Sequence, residues 1–128
     1  MKTVINSPDA PAAIGPYNHA NKGCGLLFVS GQIALNPATQ QLVLDDIAAE
    51  TQQVLENLKA IVETAGLSLI DVVKCTVFVR DMADYAVING VYARYFEQAT
   101  APARELVQVV ALPRSVNVEI SAIAAYPV

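Results

Sequence analysis

A chain of 128 residues and 13.6 kDa fits a single domain, and one of that size buries roughly two-thirds of its unfolded surface on folding, enough to dispense with a disulfide or metal staple. The net charge is −4, the pI is near 4.7, and the 8 Lys and Arg are scattered, so the electrostatic footprint of a nucleic-acid binder is missing. Charged residues are 16% and hydrophobic ones 54%; against the ~25% charge of an average domain, this places part of the apolar surface in a subunit interface.

At the N-terminus, Met1 to Asn6 lacks the apolar core of a signal peptide. No apolar run approaches the ~20 residues of a membrane helix, so a cytoplasmic protein with no membrane partner is expected. Leu26 to Val29 with Ile33 to Leu35 reads as one long buried strand, interrupted by Ser30-Gly31-Gln32. A glycine there marks a bulge or a close approach to the backbone, by a ligand or simply at a strand bend.

From Asp45 to Ala65 the apolar residues Ile47, Val54, Leu55, Leu58, Ile61 and Val62 recur at helical spacing, with Glu50, Gln53, Glu56 and Glu63 on the opposite side. Asp45 or Asp46 supplies the N-cap and Gly66 the stop. Val72 to Arg80 is short and β-branched and reads as a strand. Asp81 or Asp84 then opens a second helix through Phe96, burying Ile88, Tyr92, Tyr95 and Phe96. Asn89 stands beside that face, either at a surface or capping position or as a group of a site.

Two final strands, Arg104 to Leu112 and Val116 to Tyr126, flank a turn at Pro113-Arg114-Ser115 and are expected to form an antiparallel hairpin. In the last one Val118, Ile120, Ala122 and Ala124 alternate with Asn117, Glu119, Ser121 and Ile123. The sum is one α+β domain over residues 1–128, without repeat or linker.

Two polar residues break the apolar pattern. Arg104 follows Ala101-Pro102-Ala103 at the head of an apolar run. A guanidinium beside a sheet core needs an anion, solvent or an acidic neighbour. Glu119 is the carboxylate inside the last strand's alternation. In a hairpin it would face about Val110, roughly 20 Å along the strand from Arg104. One pocket using both would then lie between subunits. Cys24 and Cys75 have no metal-ligand spacing and, with His19 as the single histidine, are read as reduced core thiols. His19, two residues after Tyr17, is either structural or a base at a cleft mouth.

Five segments, Ala12-Ala13-Ile14-Gly15-Pro16-Tyr17, Val29-Ser30-Gly31-Gln32-Ile33, Lys74-Cys75-Thr76-Val77-Phe78-Val79, Pro102-Ala103-Arg104 and Val118-Glu119-Ile120, resemble in order the Rid family of enamine/imine deaminases. The resemblance spans nearly the whole chain. It implies a chorismate-mutase-like α+β fold, a mixed β-sheet with two helices packed on one face, and a homotrimer with clefts between subunits. It also implies hydrolysis of the 2-enamino and 2-imino acids released from serine and threonine by PLP-dependent dehydratases, giving 2-keto acids and ammonia.

By that resemblance Arg104 binds the substrate carboxylate, Glu119 and Tyr17 share the catalysis, and Ser30, Gly31, Asn89 and Leu106 line the pocket, with no metal or cofactor. Leu106 stands where deaminases of the family usually carry cysteine, and Glu105 where a small residue is commoner. Strand alternation puts Glu105 opposite Arg104 and Leu106 beside it. The other readings are a protein that holds a 2-keto acid without turnover, and the endoribonuclease activity attributed to some relatives, which fits an acidic chain badly.

Overall fold

The helix expected between Asp45 and Ala65 runs from Ile47 to Thr64 (α1) in the computed structural model, which describes residues 1–128. Asp46 caps it by accepting from the Ala49 N–H at 2.7 Å. At its other end the Gly66 N–H reaches the Glu63 carbonyl and the Leu67 N–H the Val62 carbonyl, a Schellman closure that needs the left-handed backbone of Gly66, φ 84°. Its apolar stripe packs against a six-stranded sheet. Thr3–Ile5 (β1), Ala20–Gly23 (β2), Leu26–Gln32 (β3), Val72–Val79 (β4), Ala103–Gln108 (β5) and Val118–Ala125 (β6) are ordered β1-β2-β3-β6-β4-β5. The second helix, Tyr85–Tyr95 (α2), buries Ile88, Val91 and Tyr92 beside α1.

The sheet is mixed: β4 and β5 are parallel and every other pair antiparallel. Parallel neighbours need a crossover connection, and α2 supplies it between β4 and β5. Both helices cover the same face, that of Leu27, Cys75, Val77, Val79, Ile120 and Ala124, all at 0% exposure. Each such Leu, Ile or Val side chain contributes roughly 1.5–3 kcal/mol by leaving water. The opposite face keeps apolar side chains without a cover: Phe28 pairs with Ile123 and Phe78 with Val107 on it, and Phe28 is 46% and Val107 47% exposed. No helix is long and apolar enough to cross a membrane.

Four expectations are corrected. The last two strands do not form a hairpin. β5 pairs with β4 alone, while β6 lies on the other side of β4, between it and β3. The ladder of β5 ends where the Val109 N–H meets the Val79 carbonyl, and residues 109–117 pass the end of β4 to enter the sheet's centre. Burial decides this, since β6 carries Val118, Ile120, Ala122 and Ala124 fully inside and an edge position would leave them wet.

The expected strand from Leu26 to Leu35 stops at Gln32, and Leu35 makes only an isolated bridge to Leu42. Glu50, expected on the wet side of α1, is wholly buried. Its carboxylate accepts from the Asn117 backbone and side-chain N–H groups, both at 2.7 Å, and from the Val118 N–H at 3.1 Å. These bonds satisfy a charge that would otherwise be costly inside, and they hold the start of β6. Cys24 is exposed, not a core thiol. It forms with Gly25 the two-residue β2–β3 turn, both at positive φ (53° and 74°), a hairpin geometry whose twist matches the strands. Cys75 is buried as expected.

Candidate functional site

The polar residues singled out from the sequence fall into two clusters, one on each face of the sheet. Arg104, the second residue of β5, lies opposite Cys75 of β4, and in-register neighbours share a face, so Arg104 stands on the helix-covered side. There α2 meets it. Its Nη1 donates to Asn89 Oδ1 at 2.9 Å and its Nη2 to the Tyr85 hydroxyl at 3.2 Å. The guanidinium lies 4.8 Å from the centroid of Tyr92, a cation–π contact, and Tyr92 stacks on Phe96 at 4.7 Å.

Tyr85, Asn89 and Tyr92 are four and three residues apart, one stripe of α2. Asn89 thus orients the arginine and lines the groove beside it. Tyr85 was not anticipated, although its helical spacing from Asn89 would have indicated it. Behind them, burial pushes up the pKa of the Cys75 thiol and that of the Tyr92 hydroxyl. The two lie beside one another, yet the hydroxyl makes no hydrogen bond of good geometry.

No carboxylate approaches Arg104. Glu105 projects from the other face and lies 3.4 Å from Lys74. The arginine is held by neutral groups and a π face, and only part of its donor fork is used, which leaves a half-buried cation able to take an incoming carboxylate. A groove of about 410 Å³ runs beside it, lined by Tyr85, Asn89, Phe96 and Gln98 among others. Leu106 shares the face of Arg104 but packs on the hydrophobic core, and it is not part of that groove's wall.

Glu119 lies on the open face. It pairs with Phe78 and alternates with the buried Val118 and Ile120. Burial raises its carboxyl above the usual range. The register of β3 against β6 shifts between Val29 and Gln32, so Ser30 and Gly31 form a bulge there. A Cβ at Gly31 would stand 2.7 Å from Glu119 Oε2, so the group that approaches this glycine is the carboxylate.

Tyr17, 48% exposed, lines the same cleft of about 470 Å³ with Ile14, Ser30, Gly31, Arg114 and Glu119. The Ser30 hydroxyl donates to the Asn18 carbonyl at 2.7 Å and thereby fixes the bulge. His19 is structural. It is buried, with Nδ1 accepting from the Ser7 N–H at 2.9 Å and Nε2 at 2.6 Å from the Pro11 carbonyl, so its ring braces the N-terminal loop.

One chain therefore cannot bring Arg104 and Glu119 to one small ligand. The obstacle is the sheet between them, not the length of a hairpin.

A small mixed sheet with both helices on one face and a neutral-held arginine at its edge strand defines a class of compact α+β proteins to which known chains can be compared. The family model described as Endoribonuclease L-PSP matches residues 7–126. A RutC family protein of Pyrococcus horikoshii is 52% identical over 124 residues, 97% of this chain and 98% of that one. The 2-iminobutanoate/2-iminopropanoate deaminase of Escherichia coli is 48% identical over 126 residues, 97% of this chain and 98% of that one. The crystal structure of E. coli TdcF with bound serine matches with a TM-score of 0.93 at 44% identity, over 98% of this chain and 99% of that one. The chain belongs to this family, that of the Rid proteins.

Proposed function

We propose that this protein hydrolyses 2-enamino and 2-imino acids, such as 2-aminoacrylate and 2-iminobutanoate, to 2-keto acids and ammonia. The observation that carries this is Arg104, a half-buried guanidinium oriented by Asn89, Tyr85 and Tyr92 with no carboxylate to neutralise it. A substrate carboxylate completes its fork. The 48% identity to a deaminase of this specificity supports the choice of reaction.

The second half of the chemistry rests on Glu119 and Tyr17 of a neighbouring subunit, because Arg104 and Glu119 of one chain stand on opposite faces. Glu119 holds a water against the imine carbon and takes its proton as the C–O bond forms. Returned to the nitrogen, which takes the C=N π pair as the water adds, that proton completes the 2-amino-2-hydroxy acid; Glu119 then carries the hydroxyl proton to the same nitrogen as the C–N bond breaks, leaving the keto group and ammonia. Tyr17, which lines the same cleft as Glu119, steadies the departing amine. An enamine first tautomerises to the imine. PLP-dependent dehydratases acting on serine and threonine are the class of enzyme that supplies such substrates, and the reaction itself calls for no cofactor.

The uncovered apolar face of the sheet supports a homotrimer, and the proposed chemistry itself needs two chains at one site. Sedimentation equilibrium is expected to give about 41 kDa, three times 13.6 kDa. A stable monomer at micromolar concentration overturns both the assembly and the shared cleft. The reaction is tested by adding the protein to a threonine or serine dehydratase and following keto-acid formation, which should accelerate. Binding of 2-oxobutanoate without acceleration would instead assign the chain as a carboxylate-binding member of the fold, the reading that needs Arg104 alone.

Gly31→Ala offers a test of geometry. The atoms its Cβ would meet are the far end of the Glu119 side chain, which can swing away. Thermal stability should therefore change little while the displaced carboxylate lowers the rate by on the order of 10²-fold, as an ångström-scale misplacement can. Equal loss of stability and rate would show that the bulge, not the carboxylate, was disturbed.

A further inference from the structure

The turn between β5 and β6 has two successive residues with left-handed backbone, Arg114 at φ 55° and Ser115 at φ 58°, and neither is a glycine. Side-chain-bearing residues adopt that conformation only where their surroundings over-determine it, and such residues gather at functional sites. Here the surroundings grip from both sides. Arg80 donates from Nη1 to the Ser115 carbonyl at 3.0 Å and from its backbone N–H to the Asn117 carbonyl at 3.0 Å. Val116 is wholly buried, and the buried Glu50 carboxylate holds the N–H groups of Asn117 and Val118.

The turn so clamped sets Arg114 in the wall of the cleft of Ile14, Tyr17, Gly31, Ile33 and Glu119. Arg114 has no carboxylate within ion-pair distance, since the chain's ion pair is Lys74 with Glu105. Nor is it within ion-pair distance of Glu119, whose carboxyl is raised by burial. An exposed, unpaired guanidinium therefore lines a cleft whose apolar wall is Ile14, Ile33 and Pro113, with Tyr17, Ser30 and Glu119 on the other side.

We propose that Arg114 is a second anion-binding group of this cleft, one that selects 2-imino and 2-keto acids bearing a further carboxylate on the side chain. The inference rests on the proposed deaminase site and deepens it. Arg104 of the neighbouring subunit takes the carboxylate next to the reacting carbon, and Arg114 takes the distal one. An aliphatic side chain meets Ile14, Ile33 and Pro113 with no use for the guanidinium, whereas a distal carboxylate enters the cleft without penalty only if a cation meets it. Imines derived from aspartate and glutamate are of this class.

The test compares 2-oxoglutarate with 2-oxobutanoate in titration calorimetry on the intact protein, beside turnover of the imines that an amino-acid oxidase generates from glutamate and from 2-aminobutyrate. The wild type is expected to favour the dicarboxylic ligand, and Arg114→Gln to lower the ratio of affinities about tenfold or more. Arg114→Gly accepts the left-handed backbone without strain and should lower the ratio equally, which separates loss of the guanidinium from a disturbed turn. Arg114→Lys keeps charge without the fork and should fall between. A ratio within about twofold of wild type in the Gln and Gly variants overturns the proposal. So does a wild type that binds neither keto acid. If keto acids bind with the expected ratio but neither imine is turned over faster, the deaminase reading fails while Arg114 stands as a selectivity group.

Discussion

Replacing Arg104 with alanine is expected to abolish both deaminase turnover and keto-acid binding while leaving a folded assembly. The guanidinium is the cation of its groove, and the charge-assisted bidentate contact it offers a carboxylate exceeds a neutral hydrogen bond severalfold. Removing it leaves Asn89 Oδ1 and the Tyr85 hydroxyl without their partner. Tyr85 is 39% exposed and Asn89 is not buried, so water replaces the arginine and the stability loss stays small. Arg104→Lys should recover little, because an ammonium on a flexible stem cannot reach Asn89, Tyr85 and a substrate carboxylate as a planar fork does. Coupled turnover and 2-oxobutanoate calorimetry on both variants, with sedimentation to check assembly, give the result. Near-normal activity in the alanine variant would return Arg104 to an edge-strand residue reaching solvent.

Glu119→Gln is expected to lower the rate by roughly 10²-fold or more, the usual worth of general acid–base help, with keto-acid affinity little altered. Glutamine keeps the shape beside Gly31 but cannot take the water's proton. Burial raises the Glu119 carboxyl, so the wild-type rate should decline as pH falls through that raised value, where the base becomes protonated. The decline is expected to vanish in the glutamine variant, whose residual rate depends on no such group. If binding collapses together with rate, Glu119 holds the cleft's shape and the division of roles between it and Arg104 is wrong. If activity survives, Tyr17 and the backbone of the bulge place the water.

The two residues differ in how openly the sequence displayed them. Each was visible as a polar break in an apolar strand, because strand alternation makes such a break costly. Helix α1 was equally plain, since its stripe, its Asp46 cap and its Gly66 stop are all local signals that act within a few residues. Gly31 marked either a strand bend or a close approach to the backbone of β3, without showing which.

Distant partners were legible only after folding. Tyr85 and Asn89 hold Arg104 from 19 and 15 residues away, and Glu50 is buried because Asn117 and Val118 arrive from 67 and 68 residues along the chain. By helical spacing alone, a glutamate among glutamines reads as a solvated face. The place of β6 was likewise a tertiary decision. A tight turn between two apolar strands reads as a hairpin, but the burial of four alternating side chains favours the centre of the sheet, and β6 goes there by passing the end of β4. That choice sets the faces of Arg104 and Glu119. Period-two alternation determines which residues of a strand share a side, whereas only strand order and register determine which side of the sheet that is.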